Sequence, residues 1–119
     1  MTMTAAKGYL LRNLQDAPTV ECVCGQSTRP LTWLDTPVCN CHVTFITDSV
    51  RHYHKQCTEV YLILEGTGQM ELNGDVVDVG PGSVVYIEPN TRHRLWSEKG
   101  VRTVVFGVPA WNPEDEYFD

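Results

Sequence analysis

The chain has little that reads as helix. No long stretch repeats apolar residues at three-and-four spacing, the pattern an amphipathic helix needs to keep one face on a core. Nor does any apolar run approach about 20 residues, the length a helix needs to cross a bilayer, so no membrane partner is expected. Basic residues are scarce: 9 Lys and Arg stand against 15 Asp and Glu, for a formal charge of -6. Arg92 and Arg94 flank His93 but do not make a basic face. Nucleic-acid binding draws its affinity from clustered cations on phosphates, so no nucleic-acid partner is expected. A Ser–His–Asp order and a phosphate-cradling glycine loop are also missing. Gly66-Thr67-Gly68 lacks the rest of that fingerprint and reads as a hairpin turn. Residues 1–14 are broken by Lys7, Arg12 and Asn13 before a signal-peptide core forms. The expectation is a cytoplasmic protein in which Cys22, Cys24, Cys39, Cys41 and Cys57 are thiols. Their odd number also fits poorly with a closed disulfide framework.

What the chain does contain is strand. Short alternating or β-branched runs recur between glycine and proline punctuation, and residues 43–47, 60–64, 69–72, 76–79, 84–87, 92–96 and 101–108 are predicted as strands. Asn73-Gly74 is a two-residue hairpin signal, because a type I′ turn needs positive φ at both positions. Gly80-Pro81-Gly82 marks a further turn. Many short strands point to an all-β sandwich or barrel. At 119 residues the chain fits one domain with a core of its own. It divides into an N-terminal arm of edge strands (1–42), a barrel core (43–108) and an acidic, aromatic C-terminal tail (109–119) that docks loosely.

Four residues in this pattern carry metal chemistry. His52 and His54 alternate with Tyr53, so on a strand both imidazoles share one face. Glu59 shares a face with Tyr61 and Ile63, leaving Val60, Leu62 and Leu64 on the other, and His93 shares one with Leu95. If these faces all look into one barrel, three imidazoles and a carboxylate converge, a donor set suited to a divalent first-row metal.

The spacings resemble those of a small single-domain cupin. That family's first motif runs Gly, five residues, His-x-His, three or four residues, Glu, six residues, Gly. His52, His54, Glu59 and Gly66 fall in register, with Ile46 in place of the leading glycine. The second runs Gly, five residues, Pro-x-Gly, two residues, His, three residues, Asn. Gly82 and His93 match it, whereas Glu88, Asn90 and Ser97 replace Pro, Gly and Asn. Asn90 tolerates the left-handed conformation that favours glycine. The resemblance implies a double-stranded β-helix (jelly-roll) barrel in which His52, His54, Glu59 and His93 hold one divalent transition metal: iron, manganese, nickel, zinc or copper. It also implies a homodimer in which the N-terminal arm adds to the partner's sheet.

By the same resemblance the chain is a metal-dependent enzyme of oxygenase, isomerase or lyase type acting on a small polar molecule inside the barrel. The alternative is a non-catalytic small-molecule or sugar-binding module in which the metal orients the ligand. Tyr61 and Glu88 are the candidate catalytic groups. Tyr61, Tyr86 and Arg102 are the candidate substrate contacts, Arg102 as a bidentate partner for an acidic group. Cys22-Val23-Cys24 and Cys39-Asn40-Cys41 present four thiols, as a second, zinc-type site would need, although common zinc knuckles use Cys-x-x-Cys. Cys57, in a bend with no visible base, reads as an inert thiol. His42 fits no motif and reads as a strand or surface residue.

Overall fold

The structure is a computed structural model describing residues 8–119; the part of the signal-peptide and arm readings that falls on 1–7 lies outside the described residues. After a single 3-10 turn at Leu14–Asp16, eight strands follow: β1 (Thr19–Cys22), β2 (Gly25–Leu31), β3 (Asn40–Asp48), β4 (Thr58–Glu65), β5 (Gly68–Leu72), β6 (Asp75–Val79), β7 (Val84–Ile87) and β8 (His93–Val108). All pair antiparallel, in the order β1-β2-β3-β8-β4-β7, with β5 joining β6 to β8. The fold is an all-β jelly-roll barrel. No helix among the described residues is long and apolar enough to cross a membrane.

The long strand β8 organises the barrel. The segments 92–96 and 101–108, expected as two strands, are continuous within it. Along one edge β8 pairs with β3, from Asn40↔Gly107 to Asp48↔Trp96. Along the other it pairs with β4 from Thr58↔Val108 and then with β5 down to Leu72↔His93. Residues 66–68 are therefore a corner carrying the chain along β8, and the hairpin expected there is corrected. The β5–β6 turn does form as the sequence predicts, with Asn73 at φ 50° and Gly74 at φ 93°.

The alternation of each strand sets the core. Ile46, Tyr61, Ile63, Met70, Leu95, Val101 and Val105 point inward and are buried. Their partners in the alternation, including Leu64, Val84, Phe106 and Val108, line the outside. At the corner, Gly66 sits at φ 87° and its Cα faces the Gly100 carbonyl. A Cβ there would strike that carbonyl and come within 3.0 Å of Val101 Cα. Gly66→Ala is expected to lower stability by about 2 kcal/mol or more, through a disfavoured dihedral plus a backbone clash. Urea unfolding measures it.

The arm folds back as the β1–β2 hairpin and extends the sheet on β3. At its turn Cys22 and Cys24 are joined by a disulfide, which corrects the expectation of five thiols. Cys39, Cys41 and Cys57 are free. With two of the four sulfurs bonded to each other, the four-thiolate site is ruled out in this state.

The tail docks far more closely than expected. Backbone N–H groups of Tyr53 and Tyr117 each donate to the other's carbonyl at 3.0 Å. Asp119 receives both Nε and Nη2 of Arg92 at 2.9 Å, and the Arg92 guanidinium lies 3.5 Å over the Tyr53 ring.

Candidate metal centre

His52 and His54 belong to a short bridge rather than to a regular strand. His52 exchanges two backbone hydrogen bonds with His93 (3.1 and 2.9 Å), while Tyr53 pairs with the tail on the other edge. The alternation survives: both histidines turn inward and are 3% exposed, with Tyr53 outside. Glu59, near the start of β4, and His93, at the start of β8, are 6% and 1% exposed. One donor atom from each of the four lies within 4.8 Å of the others. The structure thus brings together the four residues the spacing singles out, in an arrangement able to hold one metal ion.

The outward ring nitrogens explain why the inner ones face each other. Nδ1 of His52, His54 and His93 lie 2.6, 2.7 and 2.9 Å from the carbonyls of Val50, Asp115 and Thr91. A carbonyl only accepts, so each Nδ1 carries the proton. In a neutral ring Nε2 then presents a lone pair to the centre, as a metal ligand must. His93 Nε2 lies 3.3 Å from Glu59 Oε1 but has no hydrogen-bond partner. With its proton on Nδ1, it meets that carboxylate lone pair to lone pair. His54 Nε2 is 3.1 Å from the same oxygen, and donating from both nitrogens requires imidazolium.

The titration follows this geometry. Burial, then the neighbouring His93, holds His52 down to about 4 against the pull of the Val50 carbonyl. Burial opposes charge on His54 as well, but the hydrogen bond and charge of Glu59, with the Asp115 carbonyl, lift it to about 9. Burial favours the neutral acid of Glu59, yet the His54 hydrogen bond and the two neighbouring imidazoles, His54 and His93, hold it well below the usual carboxylate range. His42 is held down to about 4 by burial and the nearby Arg29.

These shifts give the metal-free protein a stability maximum near pH 6.5. Below it, the unfolded chain binds protons that buried His42 and His52 refuse, so stability falls toward pH 4. The His42 shift alone amounts to about 3 kcal/mol at that limit. Above it, His54 loses the proton that pairs it with Glu59, so its contribution disappears between about 6.5 and 9. Urea unfolding in chelator at pH 4.5, 6.5 and 8.5 checks both flanks.

The tail holds the centre from behind, which no motif revealed. Asp115 carboxylate oxygens accept the backbone N–H groups of Lys55 (2.8 Å), Gln56 (3.1 Å) and Cys57 (2.9 Å), the loop joining His54 to Glu59. The only local signal is the turn chemistry at Asn112-Pro113, where Asn112 bonds to both Glu114 and Asp115. Asn90, at φ 71°, ties the β7–β8 turn to the same segment by donating its N–H to the His54 carbonyl at 2.6 Å.

Above the centre lies a cavity of about 30 Å³ whose walls include Arg29, His42, Tyr61, Trp111, Glu116 and the Cys22–Cys24 bridge. That holds about two waters. Tyr61 is in this wall as expected, 3% exposed, its pKa pushed well up by burial and then by Glu59's charge. Three other expected site residues are not. Tyr86 is 64% exposed on the outer face of β7. Glu88 is exposed on the outside, where its carboxylate accepts from the Tyr86 hydroxyl. Arg102 shares its face with Val104 and Phe106 as expected, but that face points outward. His42, read as a strand or surface residue, is a buried β3 residue of the cavity wall. Cys57 is a buried thiol pushed up to about 12 by burial and then by Glu59, so it stays protonated.

Known proteins agree with this architecture. The family profile described as "Cupin domain" matches residues 43–108. An uncharacterized protein of Methanocaldococcus jannaschii, MJ1618, is 41% identical over 66 residues, 54% of this chain and 53% of that protein. The chain thus matches about half the length of this curated relative. A protein from Planctomyces limnophilus superposes with a TM-score of 0.85 at 27% identity, over 96% of this chain and 99% of that one. The nucleoside dehydratase Pac13 of Streptomyces gives 0.80 at 18%, over 92% and 89%. Ectoine synthase from P. lautus gives 0.77 at 19%, over 92% and 88%. At such low identity the last two speak for the fold alone. On its strand order, its ligand spacing and a family match covering more than half its length, this chain belongs to the cupin family.

Proposed function

We propose that the protein is a metal-dependent enzyme acting on a small polar molecule held in the barrel, with His52, His54, Glu59 and His93 holding one divalent first-row metal. The observation that carries this reading is the set of three imidazoles anchored through Nδ1, whose Nε2 atoms converge on a buried carboxylate. The orphaned His93 Nε2 is what a metal ion would satisfy. A bound divalent ion supplies Lewis-acid polarisation of a substrate oxygen. That Pac13 is a nucleoside dehydratase and another similar barrel is ectoine synthase supports an enzyme of small polar substrates.

The chain's own residues supply the rest. Tyr61, kept a phenol by burial, can donate its hydroxyl proton to a substrate oxygen. Glu116, also in the wall, has its carboxyl pulled toward the protonated form by burial. It is better sited for an acid–base role than Glu88, which faces outside. Trp111 and the Cys22–Cys24 bridge add apolar wall to the cavity, which would disfavour bulk water. The test is a turnover screen of metal-loaded protein against nucleosides, amino acids and hydroxy acids, followed by NMR. The expected result is conversion of at least one compound, lost in His93→Ala and slowed at least tenfold in Tyr61→Phe. Tight binding of a compound without conversion would favour a binding module.

A further inference from the structure

We infer that the mouth of the cavity is an anion subsite, in which the Arg29 guanidinium receives a carboxylate beside the His52–His54–Glu59–His93 centre. This rests on the reading of that centre given above. Arg29, on β2, is half-buried and pre-set. Its Nε donates to Ser27 Oγ at 3.1 Å, and its guanidinium lies 5.0 Å over the Trp111 ring. Ser27 is itself 1% exposed and also accepts from the Thr44 hydroxyl at 3.3 Å, so the anchor is rigid. Among the described residues neither terminal nitrogen of Arg29 has a protein acceptor. A planar fork with both outer nitrogens open matches a carboxylate in two parallel bonds.

Two further orphans border the same space. His42 Nε2 and Trp111 Nε1 are buried without hydrogen-bond partners, and both residues line the cavity. Buried ring nitrogens are nearly always paired, and a ligand oxygen at the mouth would satisfy them. The volume of about 30 Å³ accommodates the two oxygens of one carboxylate and little more in this conformation. Glu116 shares the mouth without closing an ion pair on Arg29 among the described residues. Its charge opposes an incoming anion, so neutralising it should strengthen binding.

The experiment titrates succinate, acetate, inorganic phosphate and neutral succinamide into wild type, Arg29→Gln, Arg29→Lys and Glu116→Gln, each metal-free and manganese-loaded, by calorimetry. Metal content and thermal midpoint are recorded for every variant. Succinate is expected to bind wild type at least about tenfold more tightly than Arg29→Gln, with Arg29→Lys between them and Glu116→Gln tighter than wild type. Succinamide is expected not to bind. Should Arg29→Gln loosen the mouth, Arg29→Lys, which keeps the charge and loses the fork, carries the comparison. Equal succinate affinity in wild type and both Arg29 variants, or no binding of any anion to wild type, overturns the subsite. A preference for phosphate over succinate overturns its assignment to carboxylates. If manganese is not held but the Arg29 dependence persists in the metal-free protein, the subsite stands and the metal reading falls.

Discussion

Truncating His93 to alanine is expected to cut metal affinity at least about 1,000-fold while lowering the stability of the metal-free barrel by no more than about 2 kcal/mol. The two effects separate because the Nε2 of the imidazole has no hydrogen-bond partner without a metal. Its Nε2 faces Glu59 at 3.3 Å without a hydrogen bond. Besides the Nδ1 hydrogen bond to the Thr91 carbonyl, which alanine loses, it gives the fold its backbone pairing with His52 and with Leu72, both of which alanine retains. The loss of a buried ring is partly offset by relief of that orphaned nitrogen, so the metal-free change should stay within about 2 kcal/mol. A ligand at 100 times its dissociation constant stabilises by about 2.7 kcal/mol, and that increment should vanish in the variant. Thermal unfolding with and without manganese or zinc reads both numbers. An equal metal-induced shift in wild type and variant would contradict the ligand assignment.

Replacing Asp115 by alanine is expected to be the most damaging change outside the four donors. Three backbone N–H groups of the 55–57 loop lose their acceptor at once, one of them on buried Cys57. The Asp115 carbonyl that fixes the His54 ring sits on the same residue and loses its tether. The expected cost is about 2–3 kcal/mol of stability and about 10–100-fold in metal affinity, the usual effect of freeing a ligand's outer partner. Asp115→Asn keeps one acceptor oxygen but turns an amide toward the donors, so it should fall between wild type and alanine. Calorimetric metal titration and urea unfolding check the pair. Unchanged metal affinity in Asp115→Ala would show that His54 is held by the barrel alone.

How much could be read from the chain depended on whether one face of each strand was distinct. In β4, Glu59, Tyr61 and Ile63 alternate with Val60, Leu62 and Leu64, and the carboxylate in register with His52 and His54 marked the inner set. In β8 both alternating sets are apolar: Val101, Thr103 and Val105 against Val104 and Phe106. Nothing local says that Arg102 belongs to the outer one. Tyr86 failed for the same reason, since Val85 and Ile87 are as apolar as Val84 and Tyr86. Asp115, Glu116 and Arg29 were invisible for another cause. Their roles come from the tail and the arm folding onto residues tens of positions away, a contact that no spacing rule encodes. The Cys22–Cys24 bridge has no signal in residue composition, since it comes from the tight β1–β2 turn that sets those two residues close together.

The central claim, that these four side chains bind one metal, is tested most directly by a crystal structure of manganese- or zinc-loaded protein with anomalous scattering at the metal edge. The account predicts one anomalous peak per chain, with Nε2 of His52, His54 and His93 and a Glu59 oxygen at about 2.0–2.3 Å from it. A fully folded barrel with no peak there at saturating metal, or with His93 turned away from His52 and His54, would contradict it.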